Sequence, residues 1–445
     1  MIRRDVLKSL ALAAPFAFPP GRALARSESP VAAVPGRWST DRITDWYGLL
    51  PWLVGANYLP SNKINQIDMW QASTWDPDVI GREFDLARDT GFNTMRVFLH
   101  PLVWEDDEEG LYRRMDQFLS LAQHAGIRPS FVFFDDCHYP YARLGPQPRP
   151  VVPAFHNSGW VNAPDRDLAE RYARGEATVA EVTALKGYVQ KTIARFSDDR
   201  RVLYWELYNE PGRGNGEYDA SGTLILANIG DRSQHLVQDS WTWAREVAPS
   251  QPVTSTGFGN IGEMNSAINT ANSDLHSIHS YDGISAIRET VTEWKAMGRP
   301  VLMTEWLNRT RAEDIPAEIR PLLNDAMISK GFDGTNIPQV VLPYLKAEKV
   351  GAVHWGFVTG VSETNWNWFS RYRNGKIRNL AAERAAGNVL RPSETIPEPY
   401  TWHHDLYRPD HTPYDPAEVE VFQLLTGAPR ARDARPLSQT RLERR

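Results

Sequence analysis

Residues 202–211 read Val-Leu-Tyr-Trp-Glu-Leu-Tyr-Asn-Glu-Pro, an apolar run that ends in Asn209 and Glu210 and is stopped by Pro211. Both faces of such a run are suited to burial, and proline cannot donate to a sheet ladder, so Glu210 is placed at the carboxyl end of a strand. Residues 299–306, Arg-Pro-Val-Leu-Met-Thr-Glu-Trp, repeat the arrangement, a short apolar strand ending in Glu305. Barrels and open α/β sheets gather their reactive groups at that end of the strands. One carboxylate at a strand exit is ordinarily a polar cap or half of an ion pair. Two of them suit the paired acid/base and nucleophile that break a glycosidic bond.

The elements around these strands follow a regular alternation. Residues 52–58 predict a first strand. Asp76 as N-cap and Pro77 at the first helical position open a helix to Thr90, which Gly91 closes. Strands follow at residues 94–100 and 128–135, with an amphipathic helix at 115–124 between them. A proline-rich excursion over 140–164 is too irregular for a helix, and as a long loop at the reactive face it is expected to shape a cleft. Further helices are predicted at 181–196, 231–247, 284–297 and 337–347, and further strands at 252–258, 274–281 and 351–357. Eight strands alternating with helices, without a compositional break, predict an α/β protein: one (β/α)8 TIM barrel over residues 45–385. A linker is expected over 26–44 and a short C-terminal extension against the barrel over 386–427. The arginine-rich residues 428–445 carry little apolar surface and are expected to be disordered.

Asn209-Glu210-Pro211 on the fourth strand, with Thr304-Glu305-Trp306 on the seventh, resembles the clan of retaining (β/α)8 glycoside hydrolases that contains the family 5 cellulases, mannanases and xylanases. The resemblance spans residues 52–357. It implies cleavage of β-glycosidic bonds in an oligo- or polysaccharide by double displacement, with Glu210 as acid/base and Glu305 as nucleophile. It further implies binding roles for Arg96 on strand two, His138 just past strand three, the His279-Ser-Tyr281 motif on strand six, and Trp355 on strand eight beneath the sugar. Asn209 would meet the sugar's 2-hydroxyl. No cofactor or metal is implied. Three stretches depart from a plain cellulase: Leu307-Asn308-Arg309, Asp135-Asp136-Cys137-His138, and residues 402–409. They leave the sugar and linkage open.

Such a mechanism needs an ionised nucleophile, which Arg96 and the Tyr281 hydroxyl would favour. It also needs a protonated acid, and Trp205, Tyr208 and the neighbouring carboxylate are expected to raise the pKa of Glu210. Glu206, on the same strand, is expected to form a structural ion pair inside the barrel wall.

Composition narrows the alternatives. A net charge of −6 without a basic cluster gives no field to attract nucleic acid. The single Cys137 excludes an intrachain disulfide and a thiolate zinc site. The 16 Trp, 16 Tyr and 16 Phe, many beside polar residues, suit sugar rings. A metal-dependent hydrolase using Asp136, His138, His276 and His279 is one rival, though residues 52–58 hold no histidine to complete its ligand set. A secreted, non-catalytic sugar-binding barrel is another. Residues 1–25 carry Arg3-Arg4, a mildly apolar run and Ala23-Leu24-Ala25, the pattern of a twin-arginine export signal. Export to the periplasm or beyond is therefore expected, with no membrane span in the mature chain.

Overall fold

The computed structural model describes residues 31–137, 139–213, 230–257, 262–374, 376–391, 394 and 397–429. Residues 1–30, which include the stretch read as an export signal, lie outside the described residues, as do His138 and the residues from 430 on. Eight strands form the centre: β1 (Val54–Asn57), β2 (Thr94–Phe98), β3 (Arg128–Asp135), β4 (Trp205–Asn209), β5 (Val253–Thr254), β6 (His276–His279), β7 (Val301–Glu305) and β8 (Gly351–Trp355). Every pairing between them is parallel, in the order β5-β4-β3-β2-β1-β8-β7-β6. The remaining seam between β5 and β6 closes through a bridge from Thr256 to Ser277, with Gly257 N donating to Ser277 O at 2.8 Å. The molecule is thus the predicted (β/α)8 barrel.

Parallel strands covered by helices are buried on both faces, which is why these segments read as continuous apolar runs. At Gly55 on β1 a Cβ would stand 1.9 Å from the Thr94 carbonyl oxygen, so only glycine lets β1 and β2 approach. The helix Pro77–Thr90 has the predicted ends: Asp76 accepts from Val79 N at 3.2 Å, and Gly91 leaves it at φ 98°. It buries Ile80, Phe84 and Ala87 against the barrel, with Phe84 edge-on to Phe118 at 5.0 Å. Ile80 and Phe84 each contribute about 1.5–3 kcal/mol by leaving water.

The structure corrects the sequence reading in several places. The helix ending at His124 starts at Glu108 rather than residue 115, because Asp107 accepts from Gly110 N and caps it. The strand expected over 252–258 makes ladder contacts only at Val253–Thr254 and the Thr256 bridge. Residues expected to be linker instead form the helix Thr40–Gly48. Its Ile43, with Trp38, meets Leu53, Leu203, Tyr204, Leu275 and Leu302 beneath the barrel. A helix at Glu263–Asn272 was not anticipated. Its buried stripe is carried by Asn265, Asn269 and Asn272, and polar residues give no apolar periodicity to read. Each asparagine is bonded, for example Asn269 Nδ2 to Thr256 O at 2.8 Å and Asn272 Oδ1 from Val34 N at 2.6 Å.

Past β8 the chain returns over the top of the barrel. Tyr407 bridges to Val358, and the helix Pro416–Thr426 lies against the helices Pro338–Ala347 and Pro77–Thr90. Among the described residues no helix is long and apolar enough to cross a membrane.

Candidate active site

Glu210 and Glu305 leave the carboxyl ends of β4 and β7 and meet above the barrel axis. One oxygen of each, and one ring nitrogen of His279, lie within 4.8 Å of one another. His279 Nδ1 is 2.7 Å from Glu210 Oε1 and 3.4 Å from Glu305 Oε2, so the imidazole spans the pair. Glu210 itself sits at φ 40°, a left-handed conformation that a non-glycine residue adopts only under constraint. Two further groups hold its other oxygen: Arg213 Nε at 2.7 Å, and the Cys137 thiol, which donates at 2.9 Å.

Glu305 is held from the opposite side. Arg96 Nη1 donates to its Oε1 at 2.9 Å and the Tyr281 hydroxyl to its Oε2 at 2.8 Å. Arg96 is fully buried and is the hub of the site. It grips Glu206 with two bonds of 2.8 and 2.7 Å, and also donates to Asn57 and to Asn209 Oδ1. Glu206 therefore makes the ion pair inside the wall that its position on β4 suggests. Asn209 Nδ2 donates in turn to Asp135, which also accepts from Trp160 Nε1 and from Cys137 N. Burial pushes the Asp135 carboxyl up to about 7 against these three donors.

Trp355, at the end of β8, is 6 % exposed and meets Phe98 and Trp160 edge-on at 5.8 and 5.6 Å. The structure thus brings together Arg96, Asn209, Glu210, His279, Tyr281, Glu305 and Trp355. His138 lies outside the described residues. Sequence reasoning had passed over Arg213, Asn57 and the role of Cys137. The turn spacing of Arg213 from Glu210 and the polar end of β1 were the available signals.

The two carboxyl groups are shifted in directions opposite to those expected. Burial raises Glu210, but the charge of Arg213 and the bond and charge of His279 outweigh it and hold this carboxyl down at about 2. Trp205 and Tyr208 do not supply the raising environment, since their polar atoms point to Gln251 and Asp136. Glu305 is pushed up instead, by burial and by the charge of Glu210, against the pull of His279 and Arg96. The two carboxyl groups titrate as one coupled pair, with Glu210 pulled down and Glu305 pushed up. Removing Arg213 raises Glu210, which mainly lifts the lower of the two macroscopic constants. Arg213→Gln is expected to move the acid limb of the kcat/KM–pH profile on a β-linked disaccharide to higher pH. An unmoved acid limb would show that Arg213 does not set the charge of Glu210.

The ligand set of the metal rival is not assembled. His276 begins β6, about 10 Å along the strand from His279, and packs on Trp294. Asp136 is taken by Tyr208 OH, Gly212 N and Ser233 Oγ. Glu210, His279 and Glu305 could in principle surround a cation, but Arg96 and Arg213 already bring positive charge to their oxygens at 2.9 and 2.7 Å.

No family model matches the chain, and no curated protein matches it. Solved structures do. An endo-β-1,4-mannanase from Thermotoga petrophila is 13% identical over 84% of this chain and 76% of its own, with a TM-score of 0.46. An exo-β-1,4-mannosidase from Opitutaceae bacterium strain TAV5 is 16% identical over 84% and 60%, at 0.49. A broad-specificity family 5 endoglucanase from Clostridium longisporum is 11% identical over 86% and 98%, at 0.47. At these identities the likeness is one of chain path, and it assigns no role to any residue.

Proposed function

We propose that the protein is a retaining glycoside hydrolase that cleaves β-glycosidic bonds in an oligo- or polysaccharide. The observation that carries this reading is the paired carboxyl groups, with oxygens within 4.8 Å of one another and a different set of partners on each. Retaining enzymes need a separation of about 5–5.5 Å, whereas inverting ones need roughly 6.5–9.5 Å to admit a water. The β preference follows from the motifs that resemble family 5.

In this reading the proton of the pair is carried by Glu210 once substrate is bound. An oxygen of the ionised Glu305 then attacks the anomeric carbon, while Glu210 passes that proton to the glycosidic oxygen as its bond to that carbon breaks. A glycosyl ester on Glu305 results. Glu210, now ionised, takes a proton from water, which attacks the same carbon and releases Glu305. The partners fit these tasks. Arg96 and Tyr281 favour the charge that returns to Glu305 when the ester breaks. Arg213 and His279 favour the carboxylate form of Glu210 that serves as base in the second step. Asn209 has a second amide hydrogen for the sugar's 2-hydroxyl, and Trp355 offers an apolar face to the ring.

Stereochemistry tests the pairing. Proton NMR within the first turnovers of an aryl β-glycoside should show the product first as the β-anomer. The α-anomer as first product would overturn the assignment.

A further inference from the structure

The acid/base must touch the glycosidic oxygen, so the leaving part of a substrate passes Glu210 at the end of β4. The retained sugar then lies across the barrel axis, with its non-reducing end toward the opposite wall. In an eight-stranded barrel the strand opposite β4 is β8, flanked here by β1 and β7.

That wall is closed by chain rather than left as a trench. The long loop after β3 crosses the mouth and pairs with the chain beyond β8: Val151 bridges to Val389, Val152 N donates to Asn388 O at 3.0 Å, and Leu390 N to Pro150 O at 2.9 Å. Arg378 clasps the same loop through the carbonyls of Pro153 and Ala154, at 2.7 and 2.9 Å, while bound to Glu383 by two further bonds. From the β1 side, Asn65 and Gln66 hold the loop at Gly159 O and Val161 O, at 2.8 and 2.6 Å. Beneath this joined rim the Trp160 ring stands edge-on to Phe98 at 5.0 Å and to Trp355 at 5.6 Å, and its Nε1 donates to Asp135 at 2.7 Å. Backbone bonds and a buried aromatic cluster make this a built wall, whereas cleavage inside a chain requires a path open on both sides of the scissile bond.

We infer that the enzyme acts from the chain end: the site is a pocket that admits one terminal sugar and releases it from the non-reducing end of a β-linked oligosaccharide. This rests on the glycosidase reading above. The test uses the wild-type protein on β-linked tetrasaccharides of glucose, mannose and xylose, each reduced at its reducing end as a label, with products separated over time. The expected result, on whichever series is cleaved, is free monosaccharide together with labelled trisaccharide as the only early products. Methylating the 4-hydroxyl of the terminal non-reducing sugar should lower that rate at least a hundredfold. Early disaccharide, internal fragments, or equal cleavage of the methylated substrate would overturn the chain-end inference while leaving the glycosidase reading in place. Failure to cleave any tetrasaccharide or any aryl β-glycoside would overturn both.

Discussion

Replacing Glu305 by alanine is expected to abolish turnover of every glycoside, whatever its leaving group. Among the described residues, no other carboxylate lies within 4.8 Å of both Glu210 and His279, so none can take over attack on the anomeric carbon. The loss should exceed the roughly 10²–10⁴-fold that removal of a proton-transfer group costs. Glu210→Ala provides the contrast. On an unactivated disaccharide it should fall by about that 10²–10⁴-fold. On an aryl glycoside with an acidic leaving group, however, the first step needs little protonation, so the glycosyl ester should form and accumulate for want of a base. Azide needs no base and should restore turnover of Glu210→Ala, giving a β-glycosyl azide. Mass spectrometry of the trapped ester and NMR of the azide product check both statements. An ester on any residue but Glu305, or an α-azide from Glu210→Ala, would reverse or remove the assigned roles.

Arg96→Met should lower stability by about 3–5 kcal/mol, the cost of stripping one partner from a buried ion pair. Arg96 and Glu206 are both fully buried, and the guanidinium also serves Glu305, Asn57 and Asn209. The substitution leaves Glu206 with the Thr256 hydroxyl at 3.0 Å and no positive partner in the network described. Activity should fall with stability, because Glu305 loses the guanidinium bond from Arg96 and is driven further toward the neutral form. Equilibrium unfolding in urea at neutral pH measures the first effect. The double variant Arg96→Met/Glu206→Leu separates its causes. If the penalty comes from an orphaned buried charge, the double variant should be more stable than Arg96→Met alone. A loss below about 1 kcal/mol in the single variant, within the range of an exposed pair, would show that water reaches the network.

Much of the site was legible along the chain because its signals are local. Pro211 ends β4 at Glu210, Asp76-Pro77 and Gly91 bound a helix, and the apolar runs of β3, β4 and β7 can only be strands covered on both sides. What escaped the reading lacked local signals of that kind. The helix Glu263–Asn272 buries asparagines in place of an apolar stripe, and the helix Thr40–Gly48 is organised by strand ends far along the chain that meet it under the barrel. Leu307-Asn308-Arg309 and the residues after 401 looked like two unrelated departures. They prove to be one contact, in which Arg309 donates to the carbonyls of His404 and Asp405 and pairs with Glu418 at 2.5 Å.

The sequence by itself determined the barrel, the placement of Glu210, Glu305, His279 and Tyr281 at or just past strand ends and that of Arg96 within a strand, since strand period and strand-breaking residues act over a few positions. Only the tertiary structure decided that Arg213 and His279 pull the Glu210 carboxyl down while burial and the charge of Glu210 push Glu305 up. It alone decided, too, that the loop after β3 joins the chain after β8. Desolvation and charge–charge energies depend on distances of a few ångströms between groups that meet only when the barrel closes, and no pattern along the chain encodes those distances.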